Sequence, residues 1–139
     1  TPGLEFAALL RVHARVRAAA AAGTPLSRSA LAATEPGLSD DQLGRFLSEL
    51  SALQLLQRSE TGQWLPLRDP AAVTVRELFE GGAYRWPTAA ELARLKAGPI
   101  VMPALLPWFE QGSLGLAQGL DLPLAALSRI PATSIAPDP

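Results

Sequence analysis

The chain has 139 residues, 48% of them apolar, which suits one domain with a real hydrophobic core. Twelve Lys and Arg stand against thirteen Asp and Glu, a formal charge of −1 that lacks the basic excess of a protein built to hold nucleic acid. With no cysteine and His13 as the single histidine, thiol chemistry, disulfides, cysteine zinc sites and histidine-cluster metal sites are excluded. Carboxylates, hydroxyls, one Lys and one Tyr remain, so no catalytic, metal or cofactor residues are assigned. The longest uncharged apolar run, Ala97 to Phe109, carries three prolines and falls well short of the roughly 20 residues that cross a bilayer. No secretory signal follows Thr1, and the missing Met leads us to expect a piece of a longer protein.

From Leu4 to Ala22 the residues favour helix, with Phe6, Leu9, Leu10, His13, Val16 and Ala20 on one stripe. Gly23-Thr24-Pro25 ends it. Ser27 caps a short second helix to Ala33, and Glu35-Pro36-Gly37 breaks the chain. Ser39 and Gln42 then form a capping box. Asp40 and Asp41 suit the positive end of the helix dipole, and Leu43, Phe46, Leu47, Leu50 and Leu53 recur at helical spacing. Two extended runs, Leu55 to Arg58 and Gln63 to Arg68, flank a Gly-containing turn as a hairpin whose Pro66 implies an edge strand. Thr74 and Glu77 open a two-turn helix with Val75, Leu78 and Phe79 inward, ended by Gly81-Gly82. Helix, helix, helix, hairpin, helix is the order of a winged helix-turn-helix, so the fold expected is mainly α: a winged helix-turn-helix over residues 4–80 with a two-stranded wing.

A helical extension over residues 83–130 is expected to pack on that domain, with a flexible tail at 131–139. Within it, Tyr84 to Pro87 is a loop, Thr88 and Glu91 form a third capping box, and Gly98-Pro99 stops the helix they open. Leu105, Phe109, Leu116 and Leu120 can line one face of a further helix, and Asp121 can cap a last one from Leu122 to Arg129.

On a DNA-reading winged helix the third helix would enter the major groove. Here it offers Arg45 against Asp40, Asp41 and Glu49, the wrong sign for phosphates; the hairpin adds only Arg58 and Arg68, so Arg45, Arg58 and Arg68 are weak candidates for nucleic-acid contact. Arg11, Arg15 and Arg17 could touch nucleic acid or anionic headgroups, with a solvated helix surface as the plainer reading. His13, on the apolar stripe, reads as a core or boundary residue. Tyr84, Trp86, Trp108 and Phe109 are the candidate partner-binding residues, because the extension has apolar surface left over once the winged helix closes its own core. The Pro-broken run from Ile100 to Phe109 is the candidate docking stretch; its alternative role is to finish the core.

Trp64-Leu65-Pro66-Leu67-Arg68-Asp69-Pro70, Val73 to Phe79, and Tyr84-Arg85-Trp86-Pro87 together resemble the cytoplasmic C-terminal region of the YihY/BrkB family, over roughly Phe6 to Arg129. These are inner-membrane proteins once labelled ribonuclease BN. A similar wing phrase occurs in winged-helix regulators that sense iron–sulfur status, but the chain has no cysteine cluster. The resemblance implies a multi-helix membrane portion upstream, with this piece as its soluble cytoplasmic tail; the residue supply adds the expectation that the tail is non-catalytic and acts as a protein-interaction or regulatory module. Its partner would be the membrane portion, a second copy or another protein. The alternatives are a DNA-binding transcriptional regulator and, following the old label, part of a tRNA-processing ribonuclease, for which no metal-ligand set is visible.

Overall fold

Helix α1, Pro2–Ala21, is the element around which the others gather. In the computed structural model, which describes residues 2–98 and 101–129, Phe6, Leu9, Leu10 and Val16 of the expected stripe are buried. Gly3, Ala7, Ala8 and Val12 are buried as well, because strands, α2, α3 and α5 all contact this helix and its alanines let them approach. Gly23, at φ 78°, provides the left-handed turn that ends the segment.

Two residues, Leu26–Ser27, then form strand β1, and Ser27 caps α2, Arg28–Thr34. The capping box of α3, Asp40–Ala52, is complete: Gln42 N–H donates to Ser39 Oγ at 3.1 Å and Ser39 N–H to Gln42 Oε1 at 3.0 Å. Leu43, Phe46, Leu47 and Leu50 of that helix are buried. Strands β2, Leu56–Arg58, and β3, Gln63–Pro66, make the expected hairpin around Gly62 at φ 81°.

The hairpin does not stand alone as the expected two strands. β1 pairs antiparallel with β3, giving a three-stranded sheet in the order β1-β3-β2. β3 is therefore central, and Pro66 does not mark an edge. β1 reaches only as far as Trp64, while Pro66 lies opposite Leu56 of β2, so the missing N–H falls beyond the stretch that β1 pairs. A two-residue strand carries no alternation to read in the sequence.

After a short 3-10 turn, Pro70–Ala72, Thr74 caps α4, Val75–Gly81, by accepting from Glu77 N–H. Only that half of the box forms, and the Glu77 carboxylate lies 3.9 Å from Arg68 instead. Val75 is largely exposed, whereas Leu78 is buried. The box of α5, Ala89–Ala97, is complete, and its Glu91 does more than cap. Oε2 of this buried carboxylate accepts from Gly3 N–H at 3.0 Å, placing a negative charge at the amino end of α1. A Cβ on Gly3 would lie 2.0 Å from Glu91 Oε1, so this close approach needs glycine.

Helix α6, Leu105–Leu120, has Pro107 in its first turn. Leu105 and Phe109 are buried, but Leu116 and Leu120 are exposed: the apolar face continues past the body that could cover it. Asp121 ends α6, its N–H donating to Ala117 O at 3.0 Å, and α7 spans Leu124–Arg129, two residues later than expected, so Asp121 does not directly precede it. Pro99, Ile100 and the tail at 131–139 lie outside the described residues. The fold is mainly helical with one small antiparallel sheet.

Leu47→Ala or Leu50→Ala, each removing a fully buried side chain, should lower unfolding stability by about 2 to 5 kcal/mol in denaturant titration. A loss below about 1 kcal/mol would show that the inward face of α3 is not core.

Candidate functional site

The outward side of α3 carries charges that are already spent on one another. Arg45 Nη2 donates to Glu5 Oε2 of α1 at 2.5 Å, its Nε lies 4.0 Å from Glu49 Oε1, and its guanidinium sits 5.3 Å from the Phe46 ring centre. The other Glu49 oxygen accepts from Tyr84 Oη. Burial, reinforced by that hydrogen bond to a carboxylate, pushes the Tyr84 phenol well above its ordinary value. Asp40 pairs with Arg28 at 3.1 Å. Of the other two arginines singled out from the sequence, Arg68 donates to Ala72 O at 3.3 Å and faces Glu77, whereas Arg58 is exposed near the hairpin turn. They lie at opposite ends of the hairpin, since Arg58 pairs with Trp64 and Arg68 follows Pro66. The three do not form one basic patch.

Of the basic segment of α1, Arg17 is exposed, but Arg11 and Arg15 are engaged within the fold. Arg11 donates to Glu35 Oε1 from Nε at 3.0 Å and Nη2 at 2.9 Å, and Arg15 Nε donates to Oε2 at 2.7 Å. Glu35, only 6% exposed, thereby ties the loop between α2 and α3 to the middle of α1. Sequence reading missed this because Glu35 sits in a Pro-Gly break that looks like solvent-exposed loop. Beside it, a half-open cleft of about 390 Å³ runs between α1, that loop and α5, with Leu4, Leu38 and Leu95 among its apolar walls and Arg11 and Arg94 among its polar ones. His13 Nε2 is buried without a hydrogen-bond partner, and burial, then the Arg17 charge, holds the ring below the ordinary histidine pKa. No group of three or more His, Asp or Glu among the described residues is placed to hold a metal.

The four aromatic residues proposed as a partner surface divide between core and surface. Phe109 is fully buried and Tyr84 nearly so, so both are core. They surround Phe6 with ring centres at 6.5 Å and 5.3 Å, and Phe79 closes the group at 5.0 Å. Trp86 is half-buried: Nε1 donates to Ser113 Oγ at 2.8 Å, and its ring lies where a Cβ on Gly112 would sit, 2.5 Å from Cζ2. Trp108 is 40% exposed and packs 5.2 Å from Trp86. Leu105 and Phe109 show the proline-broken run finishing the core, with Ile100 outside the described residues. What the sequence reading missed lies beyond: Leu114, Leu116, Leu120, Leu122, Leu124 and Leu127 are all exposed. Leucines at helical spacing look like core in a sequence, and nothing local says that the body has ended.

No known family model matches the chain, and no solved structure does. It is similar to UPF0761 membrane proteins. The protein of Xanthomonas euvesicatoria pv. vesicatoria is 41% identical over 86 residues, covering 62% of this chain and 20% of the relative. Relatives of the same name from Xanthomonas campestris pv. campestris and Xanthomonas oryzae pv. oryzae are each 40% identical, with similar coverage of 62% and 61% of this chain and 20% of their own length. The match thus spans about a fifth of these relatives, whose name corresponds to the YihY/BrkB family. Among the described residues no helix is long and apolar enough to cross a membrane.

Two measurements test the polar contacts of α1. Glu35→Gln should cost roughly 2 to 3 kcal/mol in chemical unfolding, because two partly buried arginines lose their counter-charge; a change within error would mean that the cluster is ornamental. His13 has its pKa lowered on folding, so the unfolded chain takes up the proton first and stability falls as pH drops below about 6.5. His13→Phe should flatten the thermal midpoint between about pH 7.5 and pH 5.5 relative to the parent chain. Parallel curves would remove His13 as the cause.

Proposed function

We propose that this chain is the non-catalytic winged-helix domain of a YihY/BrkB-like inner-membrane protein, held on the cytoplasmic face and working as a protein-interaction or regulatory module. The observation that carries this reading is the roughly 40% identity to membrane proteins of which the match covers only a fifth, in a region whose described helices are too short or too polar to span. The element order supports the winged-helix reading: helix, short strand, two helices, then a hairpin whose second strand pairs with the first short strand. An interaction role rather than DNA reading is favoured by α3. Its only base, Arg45, is committed to Glu5 and Glu49, and Asp40 and Asp41 stand at the helix entrance. The residue supply favours a non-catalytic domain: the one imidazole has a buried Nε2, and the one phenol, raised in pKa by burial, already donates to Glu49. The partner surface in this reading is the exposed flank of Trp108 and Trp86 together with α6 beyond Ser113.

An antibody raised against this chain should detect the full-length protein in the inner-membrane fraction. Its epitope should be digested by protease in inside-out vesicles and protected in intact spheroplasts; digestion in intact spheroplasts would overturn the cytoplasmic placement. The purified chain should bind duplex DNA weakly or not at all. Affinity of about 10 nM or tighter near physiological salt, reduced by Arg45→Ala, would favour the transcriptional regulator instead.

A further inference from the structure

We infer that α6 is a self-association helix, and that the partner for its exposed face is a second copy of this chain packed antiparallel across it. This rests on the interaction-module reading above and names the partner.

At roughly 100° per residue, Trp108, Gly112, Gly115 and Gly119 fall on one stripe of α6, and Leu105, Phe109, Leu116 and Leu120 on the stripe beside it. The two ends of this surface differ. At the amino end it is bulky, with Trp86 seated over Gly112 and Trp108 40% exposed next to it. Toward the carboxyl end it is hollow: a Cβ added at Gly115 or Gly119 would meet nothing within 4 Å. A twofold axis on this face, at the level midway between positions 113 and 114, sets Trp108 of each copy against Gly119 of the other, and the Trp86 ring against Gly115. Bulk meets hollow twice, as an isologous pair requires. Leu116 and Leu120, 49% and 71% exposed, are then covered by the same contact.

Charge and area favour this occupant. No charged residue lies between Gln111 and Leu120, so a second copy meets no like charge. There is no Lys or Arg anywhere from Val101 to Ser128, while Glu110 and Asp121 are acidic, which disfavours an anionic lipid surface. Trp108, Leu116 and Leu120 on α6, with Leu122, Leu124 and Leu127 following it, leave on the order of 600 Å² of apolar surface open on each copy, at the top of what a monomer ordinarily shows; a contact covering it on both copies would bury about 1,200 Å², near the lower limit of a stable interface.

The test is sedimentation velocity on the full 139-residue chain at roughly 50 μM, a concentration that populates a dimer of micromolar affinity. The expected species has twice the chain mass. Gly119→Leu and Leu120→Gln should each give a monomer with an unchanged circular dichroism spectrum, since position 119 has room and leucine favours helix more than glycine does. Leu114→Gln, on the opposite side of the helix, should leave the dimer intact. A monomeric parent chain, or a dimer that survives both substitutions, overturns the proposal. A monomer that floats with phosphatidylcholine–phosphatidylglycerol vesicles overturns it in favour of a lipid surface. In either case an inner-membrane location in the antibody experiment would leave the interaction-module reading standing.

Discussion

Phe6 is the residue on which the arrangement depends, because its ring is the aromatic centre at which α1, α4, the loop before α5 and α6 meet. It is fully buried on α1, in edge contact with Phe79 of α4 and Phe109 of α6 and tilted against Tyr84. Aromatic rings of this size contribute large buried areas in specific relative orientations, so the group sets angles as well as separations. Trp86 and Trp108 extend the same network outward from Phe109 to the surface.

Three glutamates fasten the elements that this apolar contact brings together. Glu91 joins the first turn of α5 to the first turn of α1, Glu35 joins the α2–α3 loop to the middle of α1, and Glu49 joins α3 to the loop before α5 through Tyr84. Each takes hydrogen bonds from groups that would otherwise lose water on folding, the condition under which a shielded carboxylate is tolerated. These and neighbouring contacts also pair Arg45, Arg11 and Arg15 with carboxylates. With the base of α3 and two of the bases of α1 engaged, the functional potential of the surface shifts from charge toward apolar shape.

That shift falls on α6. Its amino half is core and its carboxyl half runs beyond the body with the same leucine spacing, while glycines on the adjacent stripe are filled by Trp86 at one end and open at the other. A helix with this division is suited to meeting another apolar helix.

Much of the architecture was legible locally. The capping residues Ser27, Ser39, Thr74 and Thr88 start their helices within a residue of expectation, and the hairpin lies where the extended runs flank Gly62. These signals are intrinsic to short stretches of chain: a hydroxyl either reaches a nearby N–H or it does not, and glycine either admits a left-handed turn or it does not. The sequence by itself also determined the inward face of α3 and the absence of cysteine and histidine clusters. Only the tertiary structure decided which apolar residues are covered and which charges are paired. Leu105 and Leu120 share one stripe of one helix, yet one is core and the other is open. Glu35 and Glu91 find their partners 20 or more residues away. Burial and ion pairing depend on what lies opposite in space, and periodicity along the chain records only that a face exists.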